Sequence, residues 1–283
     1  MRKIAFIGAG SMAEAIISGM ITRGVTKPGD IHIANRSDEE RLSSLQKGYG
    51  VTVCRSTTEL LDGAEIVVLA VKPKDVLAAM DAVKSHITEN MLFISVAAGV
   101  NISSLEAIIS KEIPIIRAMP NTSAAVGQSA TALAVNQYTE QDDLERACQL
   151  FETIGSVAIV AEEQMNAVTG LSGSGPAYIY YLVEAMEKSS VKIGLDGETA
   201  KQLIIQTLIG AAEMLSNSDK TPAILRKEVT SPGGTTEAGI KVLEAHGVQE
   251  AFISCIQEAA QQSKRMGKQI SQEISKGTVL REV

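Results

Sequence analysis

Gly8, Gly10 and Ala13 stand at G-x-G-x-x-A spacing directly after the apolar run Lys3-Ile4-Ala5-Phe6-Ile7. Those residue types in that order suit a turn that cradles phosphate between a strand and a helix. Gly8 allows a tight turn, Gly10 lets backbone N–H groups approach an anion, and Ala13 is small enough for the helix to pack close to the strand. The helix then faces the anion with its unpaired N–H groups and its partial positive charge. The segment Ile7, Gly8, Ala9, Gly10, Ser11 and Met12 is therefore expected to hold the pyrophosphate of a dinucleotide.

A second set of residues bears on which dinucleotide. An NAD site usually carries Asp or Glu at the end of the second strand, on the ribose 2′-hydroxyl. Here that strand ends in Asn35-Arg36-Ser37. Asn35 does not repel a 2′-phosphate, Arg36 offers a planar cationic fork, and Ser37 adds a hydroxyl. NADPH is expected, with NADH also admitted. Ligands in such folds lie beyond the carboxyl ends of strands. Two more strand ends qualify: Ala70-Val71-Lys72-Pro73, with Pro73 suited to the first position of a helix, and Val96-Ala97-Ala98, whose small residues leave room for a flat ring.

Conventional catalytic groups are few. His32, His86 and His246 are isolated, and the chain has no G-x-S-x-G elbow. Tyr178, Tyr180 and Tyr181 have Leu182, Glu184 and Ala185 where a tyrosine–lysine acid pair would need lysine. The second half offers two small-residue turns instead, Thr169–Tyr178 and Val229–Ala238. In the second, glycines expose N–H groups just ahead of a helix, with Thr235 and Thr236 adding hydroxyls. That is a receptor for a carboxylate.

The elements that must position these groups alternate in type over the first half. Strands are expected at residues 3–7, 30–34, 51–53, 65–71, 91–96, 113–118, 130–135 and 157–160. Several are apolar throughout, as strands covered on both faces must be. This predicts an α/β Rossmann-type domain with a doubly wound, mainly parallel sheet over residues 1–161. Residues 162–283 read as helices only, with a polar tail expected to fray from about Gln269. The stretch 203–215 is apolar nearly all round. That predicts a homodimer through the C-terminal helices, open to higher assembly.

Bulk properties narrow the function further. A net charge of −7 over 283 residues, without a basic block, disfavours nucleic acid and anionic membranes as partners. No apolar run approaches the ~20 residues of a membrane span. Cys54, Cys148 and Cys255 are too widely spaced for a disulfide framework or a zinc site, which suits a reducing, cytoplasmic setting. No metal is expected.

Six segments together resemble pyrroline-5-carboxylate reductases. They are Phe6–Ala13, Ala70–Pro73, Ala97–Val100, Arg117–Thr122, Leu171–Tyr178 and Ser231–Thr236. They occur in order over nearly the whole chain, and the last two are specific to that family. The resemblance implies NAD(P)H-dependent reduction of the cyclic imine 1-pyrroline-5-carboxylate to L-proline, the last step of proline biosynthesis. It implies that Ser231, Gly234 and Thr235 bind the substrate carboxylate. Thr236 would hydrogen-bond the ring nitrogen and supply its proton, directly or through a water. The nicotinamide would lie near Val96, Ala97 and Ala98, and Glu162 near the substrate nitrogen. Thr57 stands where some members carry an Asn cofactor contact. A β-hydroxyacid dehydrogenase would need lysine at Ile179 and asparagine at Val183. A non-catalytic NADP-sensing dimer remains the other alternative.

Overall fold

The computed structural model describes residues 3–279. The first half runs β1 (Ile4–Ile7), α1 (Ser11–Thr22), β2 (Ile31–Ala34), α2 (Glu39–Tyr49), β3 (Thr52–Val53), α3 (Thr57–Leu61), β4 (Ile66–Leu69), α4 (Val76–Val83), β5 (Leu92–Ser95) and α5 (Ile102–Ile109). It continues with β6 (Ile115–Met119), β7 (Ser129–Val135), α6 (Gln141–Glu152) and β8 (Gly155–Ile159). Helices follow: α7 (Met165–Val168), α8 (Gly175–Lys192), α9 (Gly197–Ser216), α10 (Pro222–Glu228), α11 (Thr235–Ala245) and α12 (Val248–Val279).

All eight expected strands form, and they build one sheet in the order β3-β2-β1-β4-β5-β6-β7-β8. Strand order reverses on either side of β1, as a doubly wound fold requires. β1, β4 and β5 are buried along their whole length. One apolar core lies on each face of the sheet, which accounts for the uninterrupted apolar runs in the sequence.

One pairing departs from the parallel pattern: β6 and β7 are antiparallel. Only a short helical turn, Thr122–Val126, connects them. A parallel return needs a crossover of a dozen residues or more, so this link forces reversal. The longer α6 connection then makes β7 and β8 parallel again.

Compactness divides the chain into two units. One extends to Gly175 and resumes at Glu258; the other is Pro176–Gln257. The change from strands to helices near residue 161 therefore does not coincide with the change of compact unit. The expected fraying from Gln269 is corrected within the described residues. α12 continues to Val279, with Ile274 2% exposed and Ile270 packed on the same core. An i,i+4 apolar pair gives this polar helix one face to bury. The rest of the expected tail, residues 280–283, lies outside the described residues.

The helical unit has little core of its own. In α9 only Ala200 and Ile204 are buried, whereas Leu203, Ile209 and Met214 are each at least half exposed. Among the described residues no helix is long and apolar enough to cross a membrane.

Candidate active site

The carboxyl ends of β1, β2 and β4 meet at Gly8. Its N–H donates to the Ala34 carbonyl at 2.9 Å. Its φ is +107°, a conformation that favours glycine, and a Cβ there would lie 2.6 Å from the Ala70 carbonyl oxygen. Gly10 differs. It caps α1 in extended conformation, and a Cβ would meet no protein atom within 4 Å. The space in front of Gly10 is open. No side chain caps α1, whereas Asp38, Ser56 and Asn101 cap α2, α3 and α5. The first N–H groups of α1, from Ser11 and Met12 onward, thus face outward without a side-chain acceptor. Ile7 and Ala9 are buried beneath them. The cradle fits a pyrophosphate.

Arg41, from α2, braces this turn. Its Nε donates to the Ala9 carbonyl at 2.9 Å and its guanidinium pairs with Glu14. Sequence reading missed Arg41, because the contact spans 32 positions and no local pattern announces it.

At the end of β2, Asn35 is half-buried, and Arg36 and Ser37 are exposed. The Cys54 N–H donates to the Ile33 carbonyl at 2.9 Å, which brings the end of β3 alongside. There Arg55 pairs with Glu39 at 2.7 Å. Thr57 is half-buried at the first position of α3. Beyond β4, Ala70 and Val71 are half-buried and Lys72 is exposed, with Pro73 opening a one-turn helix. Beyond β5, Ala97 is buried while Val96 and Ala98 are half-buried. The structure thus collects the expected cofactor residues at one end of one sheet.

The isolated side chains have ordinary partners. His32 Nδ1 lies 3.3 Å from Cys54 Sγ. Burial, followed by the charge of Lys3, holds the His32 pKa below its usual value, and burial pushes the Cys54 thiol up. His246 Nδ1 sits 2.9 Å from the Val242 carbonyl at the end of α11. Among the described residues no cluster of His, Cys, Asp and Glu could hold a metal.

Glu162 opens the turn that follows β8 and is half-buried. Its Oε1 accepts from Arg117 Nη1 at 2.9 Å and from the Ile102 N–H at 3.1 Å. The turn after it also packs inward. Asn121 Nδ2 donates to the Ser172 carbonyl, and a Cβ on Gly173 would strike Met119 Cε at 2.7 Å. Two of the sequence motifs, around residues 117–122 and 171–176, are therefore one packed contact.

The turn 231–236 belongs to the helical unit. Gly233 has φ +73°, and the Gly234 N–H closes the turn on the Ser231 carbonyl at 3.0 Å. Glu237 reaches back to the Gly233 N–H at 2.8 Å, much as a capping box does. Gly234 caps α11 without a side-chain bond. Ser231, Thr235 and Thr236 are exposed. The hydroxyls of Thr235 and Thr236 are free to meet a ligand at a helix N-terminus.

An uncapped α1 at the switch point of a doubly wound sheet marks a dinucleotide-binding domain. Residues 162–266 match the model for pyrroline-5-carboxylate reductase dimerisation, and residues 3–99 match that for NADP oxidoreductase, coenzyme F420-dependent. The chain belongs to the pyrroline-5-carboxylate reductase family. It is 47% identical to pyrroline-5-carboxylate reductase 2 of Bacillus subtilis over 96% of this chain and 97% of that one. It is 38% identical to the Methanosarcina acetivorans pyrroline-5-carboxylate reductase over 94% and 98%. The Coxiella burnetii pyrroline-5-carboxylate reductase structure superposes with a TM-score of 0.86 at 37% identity, covering 94% of this chain and 98% of that one. The Plasmodium falciparum pyrroline carboxylate reductase with NADP bound gives the same score and coverage at 29% identity.

Proposed function

We propose that this chain reduces 1-pyrroline-5-carboxylate to L-proline with NADPH, as the last step of proline biosynthesis. The observation that carries the reading is that one chain holds both an open dinucleotide cradle and, in its helical unit, a Ser231–Thr236 turn whose hydroxyls and helix N-terminus suit a carboxylate. When bound, the reduced nicotinamide supplies a hydride to the imine carbon.

The chain's own groups do the rest. Gly8 and Gly10 shape the cradle, with Ile7, Ala9, Ser11 and Met12 completing it. Asn35, Arg36, Ser37 and Thr57 take the adenosine end, and Arg36 reads the 2′-phosphate. Ala70, Val71, Lys72 and Pro73 close the cofactor site, and Val96, Ala97 and Ala98 border the nicotinamide. Ser231, Gly234 and Thr235 bind the substrate carboxylate. Thr236 hydrogen-bonds the ring nitrogen, and its proton comes through that hydroxyl, replenished from water, or from a linked water. A protonated C=N bond accepts hydride readily, so placement and electrostatics carry most of the work. This explains why no histidine, metal or activated nucleophile is needed.

Purified protein is expected to oxidise NADPH, followed by its absorbance, only when pyrroline-5-carboxylate is added. A blank assay with the imine, alongside reduction of NADP by a hydroxyacid, overturns the reading.

Cofactor binding is assigned to residues 1–161. Substrate binding and dimerisation are assigned to the helices from residue 162 on. The exposed apolar positions of α9 support a homodimer, since large apolar patches on a free surface mark interfaces. Leu203→Glu, at a position 55% exposed, is expected to yield monomers in sedimentation analysis. A variant that sediments as wild type removes α9 from the interface. The three free cysteines support a cytoplasmic location.

A further inference from the structure

The Arg117–Glu162 pair is an odd way to stabilise a fold. Arg117 is 2% exposed in the middle of the sheet. Its Nη2 and the Oε2 of Glu162 are both buried and make no hydrogen bond. Arg117 is desolvated while the Glu162 side chain keeps 26% of its exposure, and an ion pair with a desolvated partner and unsatisfied atoms gains little over apolar replacements. What the pair does well is fix a position. Arg117 stands opposite Ser95, the last residue of β5. Glu162 Oε1 accepts from Arg117 and from the N–H of Ile102, the first residue of α5. The two ends of the β5–α5 loop are thereby tied to one carboxylate oxygen.

Two further contacts hold the loop between those ends. Ser95 Oγ accepts from the Ala97 N–H at 3.3 Å. Behind the loop, α12 brings Gly267 so close that a Cβ there would lie 2.8 Å from the Gly99 carbonyl oxygen. Gly99 itself has φ +75°.

We propose that Arg117 and Glu162 are positioning residues for hydride transfer, acting through the Ile102 N–H to hold the Val96–Ala98 loop against the nicotinamide. The proposal rests on the reading above that this loop borders the ring. It gives Glu162 a role that does not touch the substrate. Cofactor anchoring at Gly8 and Arg36 and carboxylate binding at 231–236 involve none of these groups, so loosening the loop acts on kcat more than on either KM.

Two variants separate positioning from stability. Glu162→Gln keeps an oxygen for the Ile102 N–H but leaves Arg117 buried without a counter-charge. The double variant R117M/E162M removes both charges and also the acceptor. The double variant is expected to melt higher than Glu162→Gln yet turn over more slowly, at least tenfold below wild type, with the imine KM within twofold. If kcat and Tm rank the two variants in the same order, the pair is merely structural and the proposal fails. Should either variant not fold, Gly267→Ala presses on Gly99 from the other side with the ion pair intact. It is expected to lower kcat at least threefold at unchanged imine KM; wild-type kcat overturns the proposal. Ala98→Leu tests the underlying reading separately. If it alters neither kcat nor the NADPH KM, the loop does not border the ring, whatever the ion-pair variants show.

Discussion

Gly8→Val is expected to abolish NADPH binding and to destabilise the protein, whereas Gly10→Ala weakens NADPH binding and leaves the fold intact. The contrast follows from what each added carbon meets. At Gly8 the backbone sits at φ +107°, and a Cβ lands 2.6 Å from the Ala70 carbonyl oxygen and 2.9 Å from its carbon. The strained φ alone costs about 1–3 kcal/mol. The carbonyl it strikes belongs to the end of β4 and has little room to move. Relief must come from shifting the β1–α1 turn, and with it the N–H groups that face the pyrophosphate. A 100-fold loss of NADPH affinity corresponds to about 2.7 kcal/mol, a modest demand on such a displacement. At Gly10 an added carbon meets no protein atom within 4 Å, and its φ of −72° is open to any residue. The methyl of Gly10→Ala projects into space that the cofactor needs. Its cost to the fold, alanine being a poorer N-cap than glycine, is about 0.5–1 kcal/mol, and its cost to binding is expected at about tenfold, or about 1.4 kcal/mol. Fluorescence titration with NADPH and thermal melts measure both quantities. Wild-type affinity in Gly8→Val would remove the cofactor from this turn.

Features confined to one stretch of chain were legible in the sequence. The glycine turn, the apolar strands and the strand ends at Asn35 and Ala70 depend on neighbours within a few residues, so type and spacing revealed them. The antiparallel β6–β7 pair was not read, although the short link between Met119 and Ser129 carried the information in its length. α12 was ended too early because its docking surface consists of two isoleucines, Ile270 and Ile274, among polar residues. Arg41 and the pairing of Arg117 with Glu162 have no local signature, because the partners lie 32 and 45 positions away. Glu162 stands out in the sequence, but its partners Arg117 and Ile102, 45 and 60 positions away, do not. The Ser231–Thr236 turn is local and was legible as an anion receptor. The identity of its anion came from the whole set of motifs rather than from the turn.

Thr236→Ala is expected to lower turnover about 100-fold, the lower range for losing a positioned proton donor, with no change in NADPH affinity. The surrounding structure makes this substitution unusually clean. Thr236 is exposed on the first turn of α11. The fold of that turn rests on other groups, namely the Gly234 N–H on the Ser231 carbonyl and the Glu237 carboxylate on the Gly233 N–H. Removing the hydroxyl therefore breaks no internal bond of the turn, and the change in stability is expected to stay within about 0.5 kcal/mol. A large kinetic loss without a loss of fold then has one source, the hydroxyl's contact with the reacting molecule. Thr236→Ser restores a hydroxyl on the same backbone and is expected to recover most of kcat. If the Ala variant turns over at the wild-type rate, the proton reaches the ring nitrogen from water alone, and Thr236 leaves the mechanism. If kcat holds while the imine KM rises, the hydroxyl binds the ground state and transition state equally, and Thr236 joins Ser231 and Thr235 as a binding residue.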